Sequence, residues 1–139
     1  MTDQTDFWAV QKAKYALLYR EQPPMECGNG WENLLDCLGH VLEQRLRRIN
    51  DTLPEDEKDT LPCASQVKEK YGTLRFYMYW TDEEMSGAIK MAEVISGCIC
   101  ELCGNAGEKN IYRGWHVTRC CECLCKAEYE DKLKEYQGR

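Results

Sequence analysis

Histidine is scarce in this chain: His40 and His116 are the only two in 139 residues. No His-Glu-x2-His run occurs, so the zinc-metalloprotease helix is excluded. No His-x-Glu accompanies the cysteines, so the zinc-deaminase signature is missing as well. The phosphate-binding Gly-x4-Gly-Lys-[Ser/Thr] loop is also absent. No apolar run approaches the roughly 20 residues that a membrane-spanning helix needs, and none is expected to be present. Met1 to Gln11 lacks the basic and apolar segments of a secretory leader, so the expected setting is cytoplasmic and reducing. Internal repeats and low-complexity segments are missing too.

Cysteine is abundant. Ten are present, and seven of them lie between Cys98 and Cys125. In a reducing compartment that crowding points to metal ligation rather than to disulfides. Cys100-x2-Cys103 and Cys120-x2-Cys123 form two matched knuckles with sixteen residues between them, the spacing of a four-cysteine zinc site. Gly104 follows the first pair, where a tight turn is needed and a glycine takes positive φ without a Cβ clash. Cys100, Cys103, Cys120 and Cys123 are therefore the expected ligands of one structural Zn²⁺. Cys98, Cys121 and Cys125 are spare, although Cys121 or His116 could replace one ligand with a poorer bite. An iron–sulfur cluster, which also takes four thiolates, is the alternative occupant.

The remaining chain reads as one α+β domain. Its parts are a helical and hairpin core over 1–97, a zinc ribbon over 98–125 and a terminal helix over 126–139. Apolar periodicity predicts a first helix from Asp6 to Arg20, with Phe7, Val10 and Leu18 on its apolar face, ended by Pro23-Pro24. A second runs from Asn29 to Asn50, with Trp31, Leu34, Leu35, Leu38, Val41, Leu42, Leu46 and Ile49 as its stripe. Asn29 and Glu32 suggest a capping box at its start. Arg45, Arg47 and Arg48 near its end suit the helix dipole. The spacing of Leu74 to Trp80 predicts a β-hairpin over Gln66–Trp80, turning at Tyr71-Gly72. Leu74, Phe76 and Met78 take one face and Arg75, Tyr77 and Tyr79 the other. Thr81 with Glu84 predicts the cap of a third helix reaching Ser96. The segment Ile111–Thr118 is expected to be the ribbon's middle strand, with Trp115 shielding the thiolates from water. A terminal helix is expected over Glu122–Tyr136.

Catalytic candidates are weak. Cys37 and His40 share a helix face, but no third residue orients them. Together with Cys27 they would make an incomplete second metal site, so they read as core and surface residues. No pair of carboxylates stands out. The two candidate contact surfaces are the acidic loop within 51–62, carrying Glu55, Asp56, Glu57 and Asp59, and the aromatic strand face of Tyr77 and Tyr79. The formal net charge of −6 disfavours direct nucleic-acid binding, which draws on counterion release by basic groups. Lys68, Lys70 and Arg75, interleaved with aromatics, keep a nucleic-acid-binding ribbon as the second reading.

The opening C-G-N-G-W at Cys27–Trp31, the block V-K-E-K-Y-G-T-L-R-F-Y at Val67–Tyr77, C-E-L-C-G, Gly114-Trp115 and the second Cys-x2-Cys together resemble small zinc-ribbon-containing proteins of tailed-phage and prophage genomes. The resemblance spans roughly residues 27–123. It implies a viral origin and expression in a bacterial cell, and it carries no activity. By analogy of class, the expected function is a non-enzymatic interaction protein that modulates or inhibits a host machine, such as a nucleic-acid-processing or defence complex.

Overall fold

The structure is a computed structural model, and it describes residues 4–138. Helix α1 is Gln4–Lys14, strand β1 is Met25–Glu26 and helix α2 is Glu32–Thr52. Strands β2 (Ala64–Lys70) and β3 (Thr73–Met78) precede helix α3 (Glu83–Ser96). Strands β4 (Glu108–Tyr112) and β5 (Trp115–Arg119) lead into helix α4 (Cys121–Gln137). The fold is α+β, with helices packed beside small sheets, as the patterning predicts.

Helix α2 is the central beam. Leu35, Leu38, Leu42 and Leu46 recur at three- and four-residue steps, and all are buried. Each contributes about 1.5–3 kcal/mol by leaving water. Val41, expected on the same stripe, is exposed. No side chain caps the helix start; a 3₁₀ turn over Asn29–Trp31 feeds into it instead. The arginines near its end reach another helix rather than only its dipole. Arg45 Nε lies 2.7 Å from Asp82, and Arg48 lies 2.5 Å from Glu84. Asp82, not Thr81, caps α3, accepting a bond from the Met85 amide at 2.9 Å. Glu84 serves the arginines instead of a capping box.

Helix α1 is shorter than the expected Asp6–Arg20. From Tyr15 to Glu21 the chain continues in turns that bury Tyr15, Leu18 and Tyr19. The Glu43 carboxylate of α2, itself buried, accepts from the Leu17 amide at 2.7 Å. That bond satisfies backbone where the regular helix stops. The buried face of α1 carries Trp8 and Gln11, and Val10 points to solvent.

Strands β2 and β3 form the expected hairpin, with Val67 opposite Phe76 and Lys70 opposite Thr73. Val67, Leu74 and Phe76 face the core. Met25–Glu26, too short to leave a periodic signal, adds a parallel edge to β2. The expected loop after α2 contains a 3₁₀ helix, Glu55–Thr60. The segment expected to be one ribbon strand is two, β4 and β5, paired antiparallel around Arg113-Gly114. No helix among the described residues is long and apolar enough to cross a membrane.

Candidate metal centre

Cys100, Cys103, Cys120 and Cys123 converge, with their sulfur atoms all within 4.8 Å of one another. The Cys103 and Cys120 sulfurs are 3.6 Å apart. A tetrahedral ion with bonds of about 2.3 Å sets its sulfurs roughly 3.8 Å apart, so the cluster fits one such ion. It is the only group of three or more candidate ligands found among the described residues.

The two knuckles reach this geometry by different routes. In the first, the chain reverses within Cys100–Asn105. The Gly104 amide bonds the Cys100 carbonyl at 2.9 Å, and Gly104 takes φ +85°. In the second, Cys120 is the N-cap of α4, and its sulfur accepts from the Cys123 amide at 3.4 Å. Burial opposes ionisation of the Cys100 thiol, but bonds from the Cys120, Cys103 and Leu102 backbone outweigh it and bring the pKa down to about 7. Desolvation and the neighbouring sulfurs push Cys123 up. A bond from the Asn105 backbone favours the Cys103 thiolate, but desolvation and the Cys100 and Cys120 thiols together carry its pKa up. A cluster in which one thiolate hinders the next is neutralised by a cation at its centre.

The first knuckle is seated on the core. The Gly30 amide bonds the Glu101 carbonyl at 2.6 Å, and the Gly28 amide bonds a Glu101 carboxylate oxygen at 3.1 Å. The Trp31 indole donates to the Ile99 carbonyl at 3.0 Å. A Cβ on Gly30 would collide with the carbonyl of Cys100 and the backbone of Glu101. The C-G-N-G-W stretch is therefore the socket of the metal loop. On the other side, the Glu101 amide bonds the Thr118 carbonyl at 2.9 Å, and the Thr118 hydroxyl bonds the Gly72 carbonyl at 2.6 Å. Sequence reasoning missed this socket; its signal was two glycines flanking Asn29 just before a buried tryptophan.

Other candidates are placed elsewhere. Trp115 does not shield the thiols: it is 75% exposed beside the tight Arg113-Gly114 turn. Cys98, Cys121 and Cys125 lie outside the cluster, and the last two have sulfurs 3.7 Å apart on α4. Cys27 is buried, and burial pushes its thiol up to about 12. Cys37 and His40 are exposed and form no ligand group with it. Glu55, Asp56, Glu57 and Asp59 are all exposed. The Trp80 indole donates to the Thr60 carbonyl at 3.1 Å, which sets the acidic turn beside the end of β3. Tyr79, 65% exposed, follows that strand, and Tyr77 within it is 41% exposed.

No protein family, curated protein or solved structure matches the chain with significance.

Proposed function

We propose that the protein is a non-enzymatic interaction module stabilised by one structural Zn²⁺ on Cys100, Cys103, Cys120 and Cys123. The closed set of four sulfurs carries this reading. Four thiolates complete a tetrahedral shell and leave no position for water or substrate. A polynuclear iron–sulfur cluster would sit between its thiolates and spread them further, so a single ion suits the spacing better. The metal's part is then to hold the loop of Glu101 in its socket and to fix the start of α4.

The expected partner is a protein with a basic surface. Supporting it is the continuity of the acidic Glu55–Asp59 turn with Trp80 and Tyr79. Lys58, the one cation in that turn, is directed at the Asn50 carbonyl. Four exposed carboxylates, in no ion pair among the described residues, steer a basic partner and lose strength as salt rises. The resemblance to phage proteins makes this partner a bacterial host protein met in the cytoplasm, a nucleic-acid-processing or defence complex.

Affinity capture from nuclease-treated bacterial lysate tests the reading. The wild-type chain is expected to retain a defined protein that the Glu55, Asp56, Glu57 and Asp59 to Ser variant releases. Capture of the same proteins by both, or of none by either, would remove the acidic turn as the contact surface.

A further inference from the structure

Four basic residues of this acidic chain meet at the other end of the first hairpin. A cleft of about 730 Å³ separates the tip of β2–β3 from the tip of β4–β5. Lys68, Lys70, Arg113 and Arg119 line it, together with Tyr71 and Trp115. Two carboxylates also border it, and both bond backbone: Glu69 takes the Gly72 amide, and Glu101 takes that of Gly28. Arg113 is committed to Asp131. Lys68, Lys70 and Arg119 form no ion pair with any described residue. The Arg119 Nε is buried without a hydrogen-bond partner among the described residues, while its guanidinium stacks 4.8 Å from the Tyr112 ring. The ring contact fixes the guanidinium at the cleft wall, where its charge faces an incoming anion.

The aromatic groups point to more than an anion. Tyr71 is 67% exposed and Trp115 is 75% exposed. Tyr71 sits at φ +54° and Arg113 at φ +52°, each followed by a glycine of positive φ. Turns of that kind favour Asn, Asp or Gly at the first position. A tyrosine and an arginine there work against folding, and their presence is explained if the side chains have a task at the tips.

We propose that this cleft binds single-stranded nucleic acid, with bases stacking on Trp115 and Tyr71 and phosphates held by Arg119, Lys68 and Lys70. Exposed rings beside cations that form no salt bridge among the described residues are the combination that takes a strand without reading its sequence. Duplex is disfavoured because its bases already stack on one another and present only edges and phosphates. The site lies at the end of β2–β3 away from Tyr79 and the acidic turn, so it stands or falls independently of the protein-partner surface.

Fluorescence anisotropy with metal-loaded full-length protein tests this, using labelled oligothymidylate, oligouridylate and a duplex of equal length. Single strands are expected to bind more tightly than duplex. Three phosphate contacts give a log–log salt slope near −2, at about −0.7 per contact. Trp115→Ala is expected to weaken binding roughly 5- to 150-fold, the range for losing one stacked base. Its exposure leaves the fold intact. Tyr71→Asn is expected to weaken binding while maintaining or raising the melting temperature, because Asn suits the turn. Lys68→Gln with Lys70→Gln should flatten the slope by about 0.7 per lysine. Absence of single-strand binding at low salt would overturn the proposal. So would equal binding of duplex, or affinity unchanged in both Trp115→Ala and Tyr71→Asn.

Discussion

Hairpins β2–β3 and β4–β5 turn on the same two-residue geometry, Tyr71-Gly72 in one and Arg113-Gly114 in the other, yet they are held by opposite means. The first rests on burial. Val67 and Leu74 are fully inaccessible, and Phe76 is nearly so. The second buries only Val117 and Thr118, and it leaves Ile111 and Trp115 exposed. What holds it is its two ends. One passes through the metal loop docked on Gly28 and Gly30; the other passes into α4, where Tyr112 and Arg113 bond Asp131. A small chain with one hydrophobic core can thus carry a second hairpin that contributes little burial, provided its ends are tied down, as an ion on the four converging cysteines would do.

The widest separation of the two hairpins is expected on metal removal. Binding of a structural zinc is worth roughly 10 kcal/mol or more in small domains, and a zinc on the four cysteines would place that free energy on 98–125. Hydrogen exchange with mass spectrometry, before and after chelation, should show β4–β5 losing protection while β2–β3 keeps it. Simultaneous loss in both would mean that they form one cooperative unit. Cys103→Ser is expected to mimic chelation, whereas Cys125→Ser, outside the cluster, should stay within about 1 kcal/mol of wild type.

Core truncation sharpens the contrast from the other side. Leu74→Ala is expected to cost about 2–5 kcal/mol in denaturant unfolding. Ile111→Ala, at an exposed site of the second hairpin, should remain within about 0.5 kcal/mol. Equal costs would contradict the division between burial and staple.

Gly30→Ala forces backbone apart at the socket, and overpacking of that kind costs about 1–3 kcal/mol. It is also expected to weaken metal retention in a chelator competition. Gly87→Ala is its control: a Cβ there meets nothing within 4 Å, and the change should stabilise α3 by roughly 0.5–1 kcal/mol. The smallest effect is expected at a tip, where Tyr71→Asn should raise stability by about 1 kcal/mol or less by relieving positive φ.

Much of this architecture was legible in the sequence because it rests on periodicity. The leucines of α2 and the alternation of Leu74, Phe76 and Met78 announce a buried helix and a half-buried strand. The knuckles announce by spacing alone the four cysteines that converge. What escaped notice has no period. Met25–Glu26 is two residues long. The cap of α3 shifted by one residue, because Thr81 and Asp82 are both competent caps and Glu84 is drawn to Arg45 and Arg48. Trp115, read from the sequence as a water shield for the thiolates, is carried outward by the turn at Arg113-Gly114. The overall charge of −6 concealed a local excess of cations that only the meeting of two hairpin tips reveals.

The central claim is that one metal ion, held by four named cysteines, fixes the second hairpin. Elemental analysis of protein purified without added metal tests it most directly, with wild type and Cys103→Ser measured side by side. One equivalent of zinc in the wild type and its loss in the variant are expected. Less than about half an equivalent in the wild type, or full retention by Cys103→Ser, would contradict the account, because four-thiolate affinity of this class does not survive purification unnoticed or persist unchanged with a ligand removed.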